Sequence, residues 1–264
     1  MGFSKINGIV LHYRVEGVGD GLPLVFINSL GSDLRIWDGM MSYFAAGYRV
    51  VRYDKRGHGL SDCPAGPYSI RDHANDLVGL LDELDIERAI VVGISVGGMI
   101  GLDFAATFPE RVRALILSDT GAQIGTAVYW NQRIQNLQKQ GLAHLADVIL
   151  SRWFAPQFAK QQPVAYRGYS NMLTRTPLDG YIATCAAIRD ADLRDAARTI
   201  RVSSLVLCGA QDLATTPELG RELAGLLGNG RFHPIPNAAH LPCIEQPEAM
   251  ATQINQFLQE NNHV

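Results

Sequence analysis

The stretch that decides the fold runs from residue 89 to residue 98 and reads Ala-Ile-Val-Val-Gly-Ile-Ser-Val-Gly-Gly. Its first four residues form an apolar, β-branched run of the kind found in buried strands. The pentapeptide Gly93–Gly97 then has the pattern Gly-x-Ser-x-Gly, and a helical pattern over 96–107 stops before Pro109. A strand that turns sharply into a helix around a serine predicts an exposed, reactive Ser95 above a sheet.

Glycines on both sides of Ser95 fit this turn, because side chains there would collide with backbone that the bend brings close. The turn also aims the N-terminus of the next helix at the oxyanion that forms when a serine attacks a carbonyl group. An alternative is that Ser95 only caps the helix, since the pentapeptide alone occurs by chance in many chains. Its position directly after a buried strand favours a nucleophile.

A serine hydroxyl is a poor nucleophile and needs a base, which a carboxylate in turn orients. In the fold that this turn indicates, the acid and then the histidine follow late strands of the sheet. Asp212 follows the apolar run 205–208, and His240 lies in a loop after a short strand expected near 231–235. We therefore predict Asp212 as the orienting acid and His240 as the general base.

The other histidines and aspartates are less suitable candidates for the general base and the orienting acid, because of where they lie in the sequence. His233 is expected inside a strand and is interpreted as structural, and His58 belongs to a separate loop motif. Four histidines lack an acid-and-serine context and are expected on the surface or in packing: His12, His73, His144 and His263. Three aspartates precede the late strand rather than follow it: Asp190, Asp192 and Asp195. Asp212 itself could alternatively serve only a turn or a helix cap.

Strands and helices alternate along much of the chain. We expect strands at 10–15, 23–27, 49–53, 89–92, 112–117, 205–208 and 231–235, a turn at 17–21, and helices at about 69–85, 96–107, 216–227 and 246–260. The first helix should begin at Ser69, with Asp72 at the capping-box position. This alternation predicts an α/β fold with a mostly parallel central sheet flanked by helices.

The alternation is interrupted from about 122 to 196, where only helical patterns occur. We therefore expect an α/β core made of residues 1–121 and 197–264, with a helical cap, 122–196, inserted between two sheet strands. Such an insert should lie over the carboxyl ends of the strands, where open α/β sheets bind their substrates.

Two early loops complete the predicted site. The loop Asn28–Ser32 follows the strand 23–27 and should supply the second oxyanion donor, so the backbone N–H groups of Leu30 and Val96 are the candidates. The segment Asp54–Ser61 reads Asp-Lys-Arg-Gly-His-Gly-Leu-Ser and places polar residues between glycines at a strand end. We interpret it as a buried, hydrogen-bonded scaffold next to the oxyanion loop.

Composition excludes several classes of function. The 264 residues are 47% hydrophobic and carry a net charge of −3, and no Lys/Arg run indicates nucleic-acid binding. No apolar stretch reaches the roughly 18 residues of a membrane span, and the first residues do not resemble a secretory signal. The cysteines match no metal or redox motif, so we expect free thiols in a cytoplasmic protein: Cys63, Cys185, Cys208 and Cys243.

Taken in order, these motifs resemble the α/β-hydrolase superfamily across essentially the whole chain: Asp54–Ser61, Gly93–Gly98, Gly209–Asp212 and His240. A more specific resemblance is to the 3-oxoadipate enol-lactonases of aromatic (protocatechuate and catechol) catabolism. It rests on Asn28–Gly31, Arg56–Gly59, Gly66–Tyr68, Trp130 with Arg133, Arg152–Phe154, Gly180–Tyr181, Ala191–Arg194, Asp212–Pro217 and Gly220–Ala224. The sequence departs from that pattern at Ile94 and Val96, where Leu and Met are expected.

This resemblance implies that a small, five-membered lactone with a carboxymethyl arm is the substrate. Ser95 would attack the lactone carbonyl with help from His240, and water would release 3-oxoadipate from the acyl-enzyme without a metal or organic cofactor. The anionic arm needs a cation, and Arg133 is one helical turn from Trp130. Arg133 is therefore the predicted carboxylate partner, with Trp130 and Trp153 shaping the pocket. The alternative is that Arg133 is a solvated surface residue and both tryptophans are cap packing.

Two other functions are compatible with the same residues. A general carboxylesterase, or a hydrolase of carbon–carbon bonds in ring-fission products, needs the same triad, so the pocket alone would distinguish it. A third hypothesis is a ligand sensor that keeps the fold and acts by binding partners, because a fold does not determine a function.

Overall fold

The computed structural model describes residues 1–17 and 22–262. His263 and all but the first residue of the turn expected at 17–21 lie outside those ranges. In the described part of the chain eight strands form one sheet: β1 (Gly2–Ile6), β2 (Ile9–Glu16), β3 (Leu24–Ile27), β4 (Val50–Tyr53), β5 (Ala89–Ile94), β6 (Val112–Ser118), β7 (Ser204–Gly209) and β8 (Gly230–Ile235).

The strands lie in the spatial order β1-β2-β4-β3-β5-β6-β7-β8. β2 is antiparallel to both of its neighbours, and every other neighbouring pair is parallel. The order reverses direction around β3, because β4 lies on one side of it and β5 on the other. A crevice opens at such a point outside the carboxyl ends of the strands, and it lies next to the loops that follow β3 and β5.

Twelve α-helices occur in the described residues: α1 (Met41–Phe44), α2 (Ile70–Glu83), α3 (Val96–Thr107), α4 (Ala127–Gln140), α5 (Ala146–Trp153), α6 (Pro156–Gln161), α7 (Pro163–Thr174), α8 (Leu178–Asp190), α9 (Arg194–Thr199), α10 (Pro217–Leu226), α11 (Pro242–Glu245) and α12 (Pro247–Glu260). Three 3₁₀ helices join them: Leu34–Met40, Pro109–Arg111 and Ala143–Leu145. None of the described helices is both long and apolar enough to cross a membrane.

The expected α/β fold is confirmed. All residues of β3 and β5 are buried, as their apolar runs predict for central strands covered on both faces. The helix α2 begins after Ser69, and the capping box between Ser69 and Asp72 is present. Strand β1 was not predicted, because it is an edge strand in which only Ile6 is buried, and its sequence has no apolar run.

The segment between β6 and β7 contains the helices α4 to α9 and, among the described residues, no strand. This segment contacts the loop after β3: Thr176, in the connection between α7 and α8, donates a hydrogen bond from Oγ1 to the carbonyl oxygen of Gly31 over 3.2 Å. The helices thus reach the edge of the sheet at which the parallel strands end. The exact division into a core of 1–121 and 197–264 and a cap of 122–196 stays a prediction.

Candidate active site

Ser95 lies between the end of β5 and the start of α3 in an unusual backbone conformation, with φ 59° and ψ −122°. A non-glycine residue is held in such a conformation only when its surroundings determine it. Two hydrogen bonds do so: the Ser95 N–H donates to the Ser118 carbonyl over 3.0 Å, and Thr120 Oγ1 donates to the Ser95 carbonyl over 2.6 Å. The strained turn presents the Ser95 side chain at the carboxyl end of the sheet.

The two glycines of the motif are required by close backbone contacts. A Cβ atom on Gly93 would lie 2.2 Å from the carbonyl oxygen of Gly97, and one on Gly97 would lie 2.2 Å from the carbonyl oxygen of Ile27. Both distances are far shorter than any van der Waals contact. The glycines therefore let the start of α3 pack directly on the end of β3, as the motif predicts.

The Asp212 carboxylate lies in the loop after β7 and accepts four hydrogen bonds. Oδ1 accepts from the N–H groups of Ala214 and Thr215 over 2.7 and 3.2 Å. Oδ2 accepts from Thr215 Oγ1 over 2.6 Å and from Nδ1 of His240 over 2.8 Å. Burial raises the pKa of Asp212, but the contact with His240 and these hydrogen bonds lower it more, so the pKa lies below its ordinary value.

The loop that carries His240 is tied to its surroundings. Glu245 accepts a hydrogen bond through Oε2 from the Ala239 N–H, over 2.8 Å, and through Oε1 from the N–H of Ala155, over 2.9 Å. The Gln211 N–H donates to the Ala238 carbonyl over 2.9 Å, which joins this loop to the loop of Asp212. Because Nδ1 of His240 is bonded to Asp212, Nε2 is the ring nitrogen that remains to accept a proton.

The structure thus brings the three predicted triad residues together. Ser95 and His240 line one cavity, and Asp212 contacts His240 from behind. The alternative acids lie on the surface in ion pairs: Asp190 with Arg189, Asp192 with Arg194, and Asp195 with Arg198. Among the alternative histidines, His12 and His73 are buried, His144 is exposed, and His233 is half-buried in β8.

The loop after β3 borders the same cavity through Ser29 and Leu30. Within the described part of the chain, the N–H groups of Leu30 and Val96 donate to no protein acceptor. Val96 is the first residue of α3, so its N–H also lies at the positive end of that helix. Two free N–H groups on the two loops nearest Ser95 are the arrangement that an oxyanion hole needs.

The segment Asp54–Ser61 packs against that loop, as expected. Lys55 donates from Nζ to the Ser29 carbonyl over 2.6 Å, and the Gly31 N–H donates to Nε2 of His58 over 3.0 Å. Burial, assisted by the charge of Lys55, lowers the pKa of His58 well below its ordinary value, so the imidazole is neutral. Burial likewise lowers the pKa of Lys55 to about 7.

The cavity above Ser95 has a volume of about 280 Å³. Residues from the sheet loops and from the segment between β6 and β7 line it: Ser29, Leu30, Ser95, Ile124, Gly125, Tyr129, Trp130, Arg133, Ile149, Arg152, Trp153, Tyr181, Ile188, Ala214, Thr215 and His240. Four of the five residues predicted for the oxyanion hole and for substrate binding are in this set: Leu30, Trp130, Arg133 and Trp153. The fifth, Val96, is buried and does not line the cavity. The volume suits a small ring compound rather than a long acyl chain.

Arg133 brings a positive charge to this cavity. Its guanidinium donates to the hydroxyl of Tyr129 over 3.0 Å and to the hydroxyl of Tyr181, and it lies 5.6 Å from the ring centre of Trp130. Among the described residues no carboxylate lies within 4.0 Å of it, and its buried Nε has no hydrogen-bond partner. Within residues 1–17 and 22–262, Arg133 is thus a cation without a carboxylate counter-ion.

A second guanidinium, that of Arg152, lies at the same cavity. It is exposed, and its Nη1 lies 3.4 Å from the Tyr129 hydroxyl. Trp130 and Trp153 are both buried, and Trp130 donates from Nε1 to the Ile124 carbonyl over 2.6 Å. Both tryptophans are therefore packed in the interior and also line the cavity. The sequence had left packing and pocket lining as alternatives.

Several residues of the site were missed from the sequence. Thr215 contacts both Asp212 and His240, and its place three residues after the acid was a usable signal. Tyr129 and Tyr181 both hold Arg133. Tyr129 lies one turn before Arg133 on α4, a spacing that the sequence shows, whereas only the packing of α8 on α4 brings Tyr181 to it. Asp119 directly follows β6, and this position at the carboxyl end of a strand could have indicated that it lies near the site.

One cluster in the described residues combines atoms of the kinds that bind metals. The carboxylate oxygens of Asp119 and Asp212 and the sulfur of Cys208 lie within 4.8 Å of one another. Asp212 already accepts four hydrogen bonds, and the Cys208 thiol donates to the carbonyl of Thr215 over 3.3 Å. These contacts favour a hydrogen-bonded cluster over a cation site.

Comparison with known proteins gives consistent results over almost the full chain. A family model described as the alpha/beta hydrolase fold matches residues 23–247. The chain is 36% identical to 3-oxoadipate enol-lactonase 2 of Acinetobacter baylyi, over 96% of this chain and 95% of that protein. It is 32% identical to 3-oxoadipate enol-lactonase 1 of the same organism, over 92% and 90%. The crystal structure of the enol-lactonase from Burkholderia xenovorans superposes with a TM-score of 0.95 at 38% identity, over 98% of this chain and 100% of that one.

Proposed function

The chain belongs to the α/β-hydrolase family, and from that premise we propose that it is a serine hydrolase that opens 3-oxoadipate enol-lactone to 3-oxoadipate through an acyl-enzyme. One observation carries the choice of substrate: a small cavity holds Ser95, His240 and the guanidinium of Arg133 together. A lactone with a carboxylate arm presents a reacting carbonyl and an anion, and the cavity offers a partner for each.

In the first half of the proposed reaction, Ser95 Oγ attacks the lactone carbonyl while Nε2 of His240 takes its proton. Asp212 stabilises the resulting imidazolium through the bond to Nδ1. The N–H groups of Leu30 and Val96 bind the oxyanion of the tetrahedral intermediate. The ring C–O bond then breaks, and the enol oxygen leaves with the proton that His240 returns.

In the second half, a water molecule attacks the acyl carbonyl and His240 accepts its proton. The bond to Ser95 Oγ breaks, and the imidazolium returns the proton to the serine. The released enol tautomerises to a ketone, which makes ring opening favourable. Each proton transfer of the acylation and deacylation steps passes through His240, and the site residues described above suffice for these two steps.

Arg133 is the proposed partner of the substrate carboxylate. A guanidinium can hold a carboxylate through two parallel hydrogen bonds, and Arg133 lines the cavity that contains Ser95 and His240. A partly buried cation without a counter-ion is unfavourable, and an anionic ligand relieves that cost. Trp130 and Trp153 would fit against the flat faces of the ring.

The remaining predictions follow from this assignment. The helical segment 122–196 acts as the substrate-binding cap, because it supplies the tyrosine, tryptophan and arginine side chains of the cavity. A cytoplasmic location is supported by four free cysteines, of which only Cys63 is exposed. The expected partner is a small anionic lactone, with no nucleic acid or membrane involved.

The test is a comparison of substrates with the purified protein. Freshly generated 3-oxoadipate enol-lactone, followed by its ultraviolet absorbance, should be hydrolysed with a kcat/KM far above that for p-nitrophenyl acetate and for longer neutral esters. A preference for long neutral esters would assign the chain to the carboxylesterases. Slow turnover of every ester and of the lactone would contradict a hydrolase altogether.

A further inference from the structure

Asp119 is a carboxyl group that none of the proposed steps uses. It directly follows β6, is fully buried and has a positive φ of 47°. Its Oδ1 accepts a hydrogen bond from the Gly209 N–H over 2.8 Å, and the Ser118 hydroxyl donates to Oδ2. Asp119 therefore connects the end of β6 to the end of β7, immediately before the loop that carries Asp212.

The groups that face Asp119 include no cation among the described residues. The ionisable neighbours are the Asp212 carboxyl, which contacts His240, and the thiols of Cys208 and Cys243. No Lys, Arg or His side chain lies within 4.0 Å of the Asp119 carboxylate in the described ranges. Two acids thus lie together in one buried cluster, and the imidazole of His240 is bonded to Asp212.

Two carboxylates this close in a buried site cannot both ionise readily, because each repels the other where water does not screen them. Burial raises the pKa of Asp119 well above its ordinary value, and the charge of Asp212 raises it further. Asp212 moves in the opposite direction, since His240 and Thr215 lower its pKa despite burial. Divergent environments of two neighbouring acids give them different roles.

We propose that Asp119 is a positioning residue whose carboxyl group keeps its proton at neutral pH, so that it anchors the Asp212 loop without placing a second negative charge behind His240. This inference rests on the triad part of the proposed function and not on the choice of lactone. The neutral carboxyl group accepts from the Gly209 N–H through Oδ1, and its O–H adds a hydrogen-bond donor close to the Asp212 carboxylate and the Cys208 sulfur.

The kinetic test compares two substitutions with the wild type, using p-nitrophenyl acetate at saturating and limiting concentrations. Asp119→Ala removes the acceptor for Gly209, so kcat should fall by about 10-fold or more while KM changes by less than about 3-fold. Asp119→Asn keeps the shape of the side chain and provides one hydrogen-bond acceptor and one donor group without a charge. Its kcat should therefore recover most of the activity that Asp119→Ala loses. An Asp119→Ala variant with wild-type kcat would overturn the positioning role.

The pH profile tests the protonation state. If Asp119 is neutral, the acidic limb of kcat/KM has the same midpoint in Asp119→Asn as in the wild type. An ionised Asp119 would stabilise the charged form of His240, and its removal would then move the midpoint to lower pH by about one unit or more. That shift would overturn the proposal.

Infrared difference spectroscopy gives a readout that needs no turnover. The wild-type spectrum at neutral pH should contain the carbonyl stretch of a protonated carboxyl group, which shifts in D₂O and is lost in Asp119→Asn. The exposed Asp190→Asn serves as the matched control and should keep the band. Absence of the band from the wild type would contradict the proposal, whereas a wild type that has the band but hydrolyses no ester would contradict only the proposed function.

Discussion

Nε2 of His58 accepts a hydrogen bond from the Gly31 N–H over 3.0 Å, and Nδ1 of the same ring lies 3.2 Å from the carbonyl oxygen of Arg56. The lowered pKa of His58 keeps the ring neutral, so Nδ1–H donates to Arg56 while Nε2 accepts. One buried imidazole therefore holds the loop that presents the Leu30 N–H to the cavity. The segment that contains His58 acts on the oxyanion hole through this bond.

Replacing His58 by leucine should lower kcat by about 10- to 100-fold, because a loosened Leu30 amide stabilises the oxyanion less well. KM should change little, since His58 does not line the cavity. His73→Leu is the matched control: His73 is also buried, but neither of its ring nitrogens has a hydrogen-bond partner among the residues that the structure describes. An equal loss of kcat in both variants would show that the loss comes from disturbed packing and not from the hydrogen bond between His58 and Gly31.

Thr215 should contribute to catalysis through its hydroxyl group. Its Oγ1 donates to Asp212 over 2.6 Å and lies 3.1 Å from Nδ1 of His240, so it fixes the acid and the base relative to each other. Thr215→Val keeps the shape and removes the hydroxyl, and kcat should fall by about 10-fold. Thr215→Ser keeps the hydroxyl and should stay close to wild type. If serine and valine variants behave alike, the hydroxyl has no such role.

Arg133→Ala should lower kcat/KM for the enol-lactone by roughly 30- to 1,000-fold, mainly through KM, because the substrate carboxylate loses its cation. The loss for p-nitrophenyl acetate should be small. Arg152→Ala is the control from the same cavity, since Arg152 is also cationic but exposed, and its effect should be several-fold at most. Equal losses on lactone and neutral ester in Arg133→Ala would show that it does not bind the carboxylate.

Lys55 should make stability depend on pH in the alkaline range. Burial lowers its pKa from an ordinary value of 10.5 to about 7, so between these values the folded state binds fewer protons than the unfolded state. The contribution of Lys55 to the free energy of unfolding must then rise with pH across that window. The difference in unfolding free energy between wild type and Lys55→Met, measured in urea at pH 7 and at pH 10, should rise by roughly 1–3 kcal/mol. A constant difference would mean that Lys55 stays charged.

Local patterns were enough to predict the central part of the fold and the triad. The run 89–92 and the glycines around Ser95 determine the turn through contacts between neighbouring residues, such as that of Gly93 with Gly97. Asp212 and His240 could be predicted because each follows a buried strand in a fixed order. Strand β1 could not, since an edge strand with one buried residue has no distinctive apolar pattern.

The parts of the site that could not be predicted depend on contacts between distant segments. Helical spacing places Arg133 on the same face as Trp130, but it does not reveal that Tyr181 holds the guanidinium or that no carboxylate neutralises it. In the same way, Asp119 approaches Asp212 because β6 pairs with β7 in the sheet. The hydrogen bond between Asp119 and Gly209, which fixes this approach, joins residues that are 90 positions apart in the sequence.

The most direct measurement is the loss of ultraviolet absorbance of freshly generated 3-oxoadipate enol-lactone with wild type, Ser95→Ala and Ser151→Ala. Ser151 is exposed on α5 and donates only to the carbonyl of Val148, so it controls for the loss of a hydroxyl group. We predict rapid loss with wild type and Ser151→Ala and a rate at least about 1,000-fold lower with Ser95→Ala. Lactone loss that persists in Ser95→Ala would contradict the account.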